Sequence, residues 1–142
     1  MKNTILLDTN IILDFLIHRE PYYDNANAIM TLCAHKEVYG YIAFHSISNL
    51  FYILRKYVNE EQRRQLLKDL CNILTIAAAN HAEVQKAIEQ SIFKDFEDCL
   101  QDKCALSVHA DYIITRNIKD FTESETKAIL PSDFLQLQAS SH

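Results

Sequence analysis

The sequence predicts an α/β fold: a three-layer α/β/α arrangement around a central parallel sheet of four or five strands, with residues 1–142 forming a single domain. Two observations carry that expectation. Short apolar runs rich in β-branched residues alternate with segments whose apolar positions recur at the helical period, and strands joined by helical crossovers pair in parallel with helices on both faces. No repeat, low-complexity tract or linker interrupts the alternation, so nothing divides the chain, and at this length about 70% of the unfolded surface can be buried in one core.

Taken in order, Thr4 to Leu7 is a short apolar run that ends at Asp8, which suits a buried strand whose carboxyl end opens into a loop or helix. Asn10 to Ile17 reads as a short helix, Glu20-Pro21 as a break, and Tyr22 to His35 as a longer helix with Ala26, Ile29, Met30 and Cys33 on one face. Val38 to Phe44 reads as a second strand, and Ser46 as the cap of a helix whose stripe is Ile47, Leu50, Phe51, Leu54 and Val58, with Asn49 in its first turn. Asn59 starts a helix through Ile73, Leu74 to Ala79 is a third strand, and Asn80 caps a helix over Glu83 to Phe93. Asp95 to His109 is a further helix, Asp111 to Thr115 a strand, Lys127 to Leu130 a weak last strand, and Pro131 to Leu137 a closing helical turn.

Composition limits the function classes. The amino terminus meets a carboxylate after only three consecutive apolar residues, so it lacks the apolar stretch of a signal peptide or membrane span, and the protein is expected in the cytosol with no membrane partner. Cys33, Cys71, Cys99 and Cys104 form no C-x-x-C pair and are read as reduced core thiols rather than disulfides or zinc ligands. The net charge of −5 means that any contact with nucleic acid is local. Candidates are Arg55 and Lys56, then Arg63, Arg64 and Lys68, then Arg116 and Lys119; solvated helix faces are the plainer explanation, preferred for the middle group.

The binding crevice of an open α/β sheet lies beyond the carboxyl ends of its strands, where Asp8, the Ser46 to Asn49 turn and the Thr115 to Asp120 loop all fall. Asp95, Asp98 and Asp102 share one helical face, either as a solvated surface that favours the helix dipole or as part of a site. Asp8 and Asp120 can each act as a local cap, and Asn49 can be a polar residue on a wet face. The convergence of four segments at one sheet edge favours a site over those separate explanations. An oxygen cluster without Cys or His at ligand spacing suits Mg²⁺ or Mn²⁺ and not zinc, and such a cation lets an acidic protein hold phosphate.

Three segments then resemble the PIN-domain family: Ile5-Leu6-Leu7-Asp8-Thr9-Asn10-Ile11-Ile12-Leu13-Asp14, Phe96-Glu97-Asp98-Cys99-Leu100-Gln101, and Ala110 through Asp120-Phe121. The ending Leu130-Pro131-Ser132-Asp133-Phe134-Leu135 is also similar to the way many PIN domains close, so the resemblance covers nearly the whole chain. The resemblance implies a compact parallel-sheet fold, Mg²⁺- or Mn²⁺-dependent ribonuclease activity and, as in many small bacterial members, a VapC-like toxin restrained by an antitoxin. It places Asp8 and Asp98 as metal ligands and Thr115 as the hydroxyl that supports them. The chain departs from the family pattern at Asn49 and Asn117, where carboxylates are usual; Asp120 first, and Asp95 as an accessory acid, are expected to supply the missing charge.

The leading expectation is therefore an endoribonuclease in which Asp8, Asp98 and Asp120 hold the metal, Asn49 and Asn117 complete its shell, and Thr9, Asn10, Thr115 and Arg116 position phosphate; for Arg116 the equal alternative is that it only pairs with neighbouring acids. The alternative is a catalytically weak or inactive PIN-like module that binds RNA or a protein. A phosphatase using Asp8 as nucleophile lacks the second Asp two residues on, and Gly40, the only glycine, rules out a Gly-rich phosphate loop. Tyr22, Tyr23, Tyr52 and Tyr57 leave room for a homodimer or an antitoxin groove, with core packing as the simpler use.

Overall fold

The computed structural model describes residues 1–90, 93 and 95–141. Five strands, β1 (Thr4–Leu7), β2 (Tyr39–Ala43), β3 (Thr75–Ala77), β4 (Tyr112–Ile114) and β5 (Lys127–Ile129), form one parallel sheet in the order β3-β2-β1-β4-β5. The helices are α1 (Thr9–Leu16), α2 (Tyr23–Ala34), α3 (Phe44–Ile53), α4 (Glu60–Cys71), α5 (His81–Glu89), α6 (Phe96–Ser107) and α7 (Pro131–Ser140). Leu7 lies level with Ile42 on one side and Ile114 on the other, so the ends of β1, β2 and β4 form one edge. The strand order reverses about β1, which makes the end of β1 the switch point where crossovers diverge and a crevice opens.

Strand alternation divides the core between the two faces. Ile5, Leu7 and Ile114 join residues of α1, α2, α3, α4 and α7, including Ile12, Ile29, Leu50, Leu70 and Phe134, in the larger core. Leu6, Ala43, Ala77 and Ile113 point the other way, to Cys104 and Ala105 of α6 and to Phe121. Helix α5 packs on α6, and α7 on α2. β1 is thus apolar and buried from Ile5 to Leu7 because both of its faces are covered.

Two helix starts follow from capping chemistry. Asn59 and Gln62 form a reciprocal capping box at α4, as Asn80 and Glu83 do at α5. Elsewhere the sequence expectations need correction. Ser46 does not cap α3: that helix begins at Phe44 directly from β2, and Ser46 is buried inside it with Oγ 2.6 Å from Thr9 Oγ1, tying α3 to α1. Helix α6 begins at Phe96, with Asp95 as its cap. α5 ends at Glu89, and the expected continuation crosses Ser91 and Ile92, which lie outside the described residues. α7 runs on to Ser140 rather than ending as a turn. Cys33, Cys99 and Cys104 are buried free thiols as expected, whereas Cys71, on the wet side of the end of α4, is exposed.

Candidate active site

A cavity of about 360 Å³ opens at the carboxyl edge of the sheet. Asp8, Thr9 and Asn10 enter it from the end of β1, and Asn49, Tyr52 and Ile53 from α3. Asp95, Glu97, Asp98 and Gln101 come from the start of α6, and Asn117 and Asp120 from the loop after β4. The expected site residues Asp8, Asp98, Asp120, Asn49, Asn117, Thr9, Asn10 and Asp95 therefore do meet in one place. Asn49 and Asn117 bring only amide groups, as the sequence showed.

Asp8 is the fixed point. It stands before α1 where a capping residue would, yet its side chain makes no capping bond; it is 5% exposed and turned toward the cavity floor. Gln101 Nε2 donates to Asp8 Oδ1 at 3.0 Å, and Thr115 Oγ1 donates to Oδ2 at 2.9 Å. Thr115 is fully buried, and its hydroxyl also accepts from the Asn117 amide at 3.0 Å, so the loop after β4 is fastened to the same carboxylate. Thr115 thus supports Asp8 from beneath the cavity rather than lining it.

Asp98 is half-buried at the start of α6, and its carboxyl is pushed up from 3.8 to about 7. Burial is the first cause; the negative charges of Asp95, Asp8, Asp120 and Glu97 follow. Asp95 serves two ends, since its Oδ1 accepts from the amides of Glu97 at 2.7 Å and Asp98 at 3.4 Å while it also borders the cavity. Asp120 sits exposed in a single 3₁₀ turn, Ile118–Phe121. Asp102 lies off the site: buried, it accepts from Ser124 Oγ and from the Glu125 amide and pins the loop before β5.

Of the two uses open to Arg116, the structure shows the ion pair and not a place in the cavity. Arg116 Nε donates to Asp14 Oδ2 at 2.8 Å, and its guanidinium lies 3.8 Å from the centre of the Tyr22 ring, outside the acidic cavity. Asp14 is fully buried and needs a cation, and Arg116 reaches it with Arg19. Four residues of the cavity were not singled out as site residues from the sequence: Ile53, Glu97, Tyr52 and Gln101. A signal existed for the last two, because Gln101 follows Asp98, and Tyr52 follows Asn49, by the three residues that put side chains on one helical face. Gln101 is 3% exposed, and its Oε1 has no partner among the described residues.

Five carboxylates, from Asp8, Asp95, Glu97, Asp98 and Asp120, border the cavity, and no Lys, Arg or His does so among the described residues. Such a set draws a cation, and its all-oxygen character fits Mg²⁺ or Mn²⁺. Among the described residues no three carboxylate, imidazole or thiolate groups stand close enough to enclose an ion by themselves. The arrangement is an open acidic rim, which accords with Mg²⁺ chemistry: that ion keeps several waters and takes one or two carboxylates rather than a full protein cage.

A family model described as PIN domain matches residues 4–119. The chain is 28% identical over 138 residues to Ribonuclease VapC1 of Aquifex aeolicus (strain VF5), covering 93% of each protein. Among solved structures it is similar to VapBC2 from Rickettsia felis bound to a promoter DNA fragment, with a TM-score of 0.64 and 23% identity over 89% of this chain and 98% of that one. VapBC-1 from nontypeable Haemophilus influenzae gives a TM-score of 0.65 and 20% identity over 91% and 98%. These two likenesses rest on the fold, whereas the family model spans most of the sequence and includes Asp8, Asp98 and Thr115. The chain belongs to the PIN-domain family.

Proposed function

We propose that this protein hydrolyses phosphodiester bonds in RNA as a Mg²⁺- or Mn²⁺-dependent endoribonuclease, and that an antitoxin-type protein restrains it. The observation that carries this reading is a PIN-family cavity with five carboxylates, no basic neighbour among the described residues, and a deep acid whose two oxygens are both held in place. Asp8, Asp98 and Asp120 would hold the metal, with the amide oxygens of Asn117 and Asn49 as neutral donors and Asp95 in reserve. When bound, Mg²⁺ or Mn²⁺ supplies the positive charge that draws phosphate and acidifies water.

The chain's own contribution is positional. Thr115 and Gln101 keep Asp8 in one orientation, so its negative charge is presented without a rotamer search when substrate arrives. Thr9 and Asn10 open α1 beside Asp8, where side-chain and backbone donors suit a phosphate oxygen. The partner is supported by the names of the similar solved structures, which are VapBC complexes.

A pool of labelled RNAs incubated in Mn²⁺, in Mg²⁺ and in EDTA, with Asp8→Asn and Asp98→Asn beside the parent, tests the reading. Cutting by the parent alone, and only with metal, is expected, with a loss of at least about a hundredfold in each variant. A parent that binds RNA but cuts none of it under any metal would replace the enzyme with a binding module whose two amides cannot support hydrolysis.

A further inference from the structure

We propose that Tyr52, with Arg55 and Lys56, is a docking platform for single-stranded RNA, on which the nucleobase next to the cleaved bond stacks. The proposal rests on the ribonuclease reading and adds a base-binding subsite to it. Tyr52 is 63% exposed and belongs to neither core, and of the exposed large apolar side chains among the described residues it is the one that borders the acidic cavity. Arg55 Nη1 donates to the Tyr52 carbonyl at 2.8 Å, and its guanidinium lies 3.6 Å from the ring centre. That contact orders the ring and puts a cation over one face, and the rest of the ring is free for a base.

Asn49, Tyr52 and Arg55 follow one another at three-residue steps along α3 and the 3₁₀ turn Leu54–Lys56 that extends it. They form a ladder from amide through aromatic to cation, spanning about 9 Å of helical rise. A strand whose phosphate lies among the acids would pass its neighbouring base over Tyr52 and bring its next phosphate toward Arg55 and exposed Lys56. The charge order suits this path, since an acidic rim alone repels the flanking phosphates. Aromatic stacking beside cations is the general way in which proteins hold single strands without reading a sequence.

The test uses the full chain in Mn²⁺ and a single-stranded RNA carrying 2-aminopurine beside the cleaved bond, whose fluorescence falls on stacking. The parent and Tyr52→Phe should quench it, whereas Tyr52→Ala should not, and should raise KM about tenfold with kcat within about twofold. Arg55→Ala should lower the slope of log KM against log salt by roughly 0.7. Because Tyr52 is exposed, an unchanged Tm is expected and separates lost stacking from lost folding. A cutting parent whose quenching and KM survive Tyr52→Ala overturns the platform alone and assigns the patch to a protein contact. Tyr52-dependent quenching without cutting keeps the platform and removes the enzyme reading; neither quenching nor cutting removes both.

Discussion

Arg116 and Asp120 sit four residues apart in one loop and do opposite work. Asp120 adds charge to the cavity, whereas Arg116 neutralises an acid that folding has already buried. Asp14 is fully buried, and Arg19 approaches it at 3.3 Å with a third of its own side chain exposed, so Arg116 is the better-placed partner at 2.8 Å. Arg116→Ala should destabilise the protein by about 3 kcal/mol, since it removes one of two cations from a buried carboxylate, and should leave RNA affinity per folded molecule unchanged. Denaturant unfolding beside RNA titration checks this; weakened RNA binding at unchanged stability would return Arg116 to the phosphate path. The sequence could not separate the two roles, because Asp14 and Arg116 are far apart in the chain and only the parallel pairing of β1 with β4 brings their elements together.

At the scale of elements, strands and most helix starts were legible, and helix stops were legible to within a few residues: α1 and α2 end one residue before their expected ends, α6 two before and α7 three after. β1 matched its expected bounds because an uninterrupted apolar run ends at a carboxylate, and Asn59 and Asn80 announced α4 and α5 through side chains that satisfy free amides. Helices commonly stop at a Gly in the left-handed region, but here α1, α2 and α6 are followed by His18, Lys36 and His109 at φ of 51°, 61° and 53°. The amides one residue on, from Arg19, Glu37 and Ala110, bond back to the carbonyls of Asp14, Leu32 and Ala105, so each stop is a backbone device with no residue signature. The same backbone dominance misplaced Ser46, whose hydroxyl links two helices instead of capping one. An L-residue in that region carries strain, so Lys36→Gly, at an exposed position, should stabilise the fold by about 0.5–1 kcal/mol after the added freedom of the unfolded chain is counted. A Tm rise of roughly 2–4 °C is expected. A fall would mean that the Lys36 side chain contributes more than its backbone costs.

For the molecule as a whole, the acidic cavity sets the metal-free fold against its own site. Asp98 holds its proton to about 7, through burial first and then the neighbouring carboxylates, whereas the unfolded chain releases it near 3.8. The native state therefore binds the extra proton between those values, and the stability this group contributes is full below 3.8, declines as pH rises and is gone above about 7. Asp98→Asn should for that reason raise the Tm of the protein in EDTA at pH 8, where the parent has to carry the ionised carboxylate. Metal reverses the preference, because a ligand carboxylate must be deprotonated. Mn²⁺ should thus raise the parent's Tm more at pH 8 than at pH 6, with apparent affinity weakening about tenfold over the unit below 7, and should barely move Asp98→Asn at either pH. Thermal unfolding in Mn²⁺ and in EDTA at the two pH values decides the matter. An equal Mn²⁺ shift at pH 6 and pH 8, or an undiminished one in Asp98→Asn, would put the cation somewhere other than this cavity and leave the acids as a strained surface that folding tolerates.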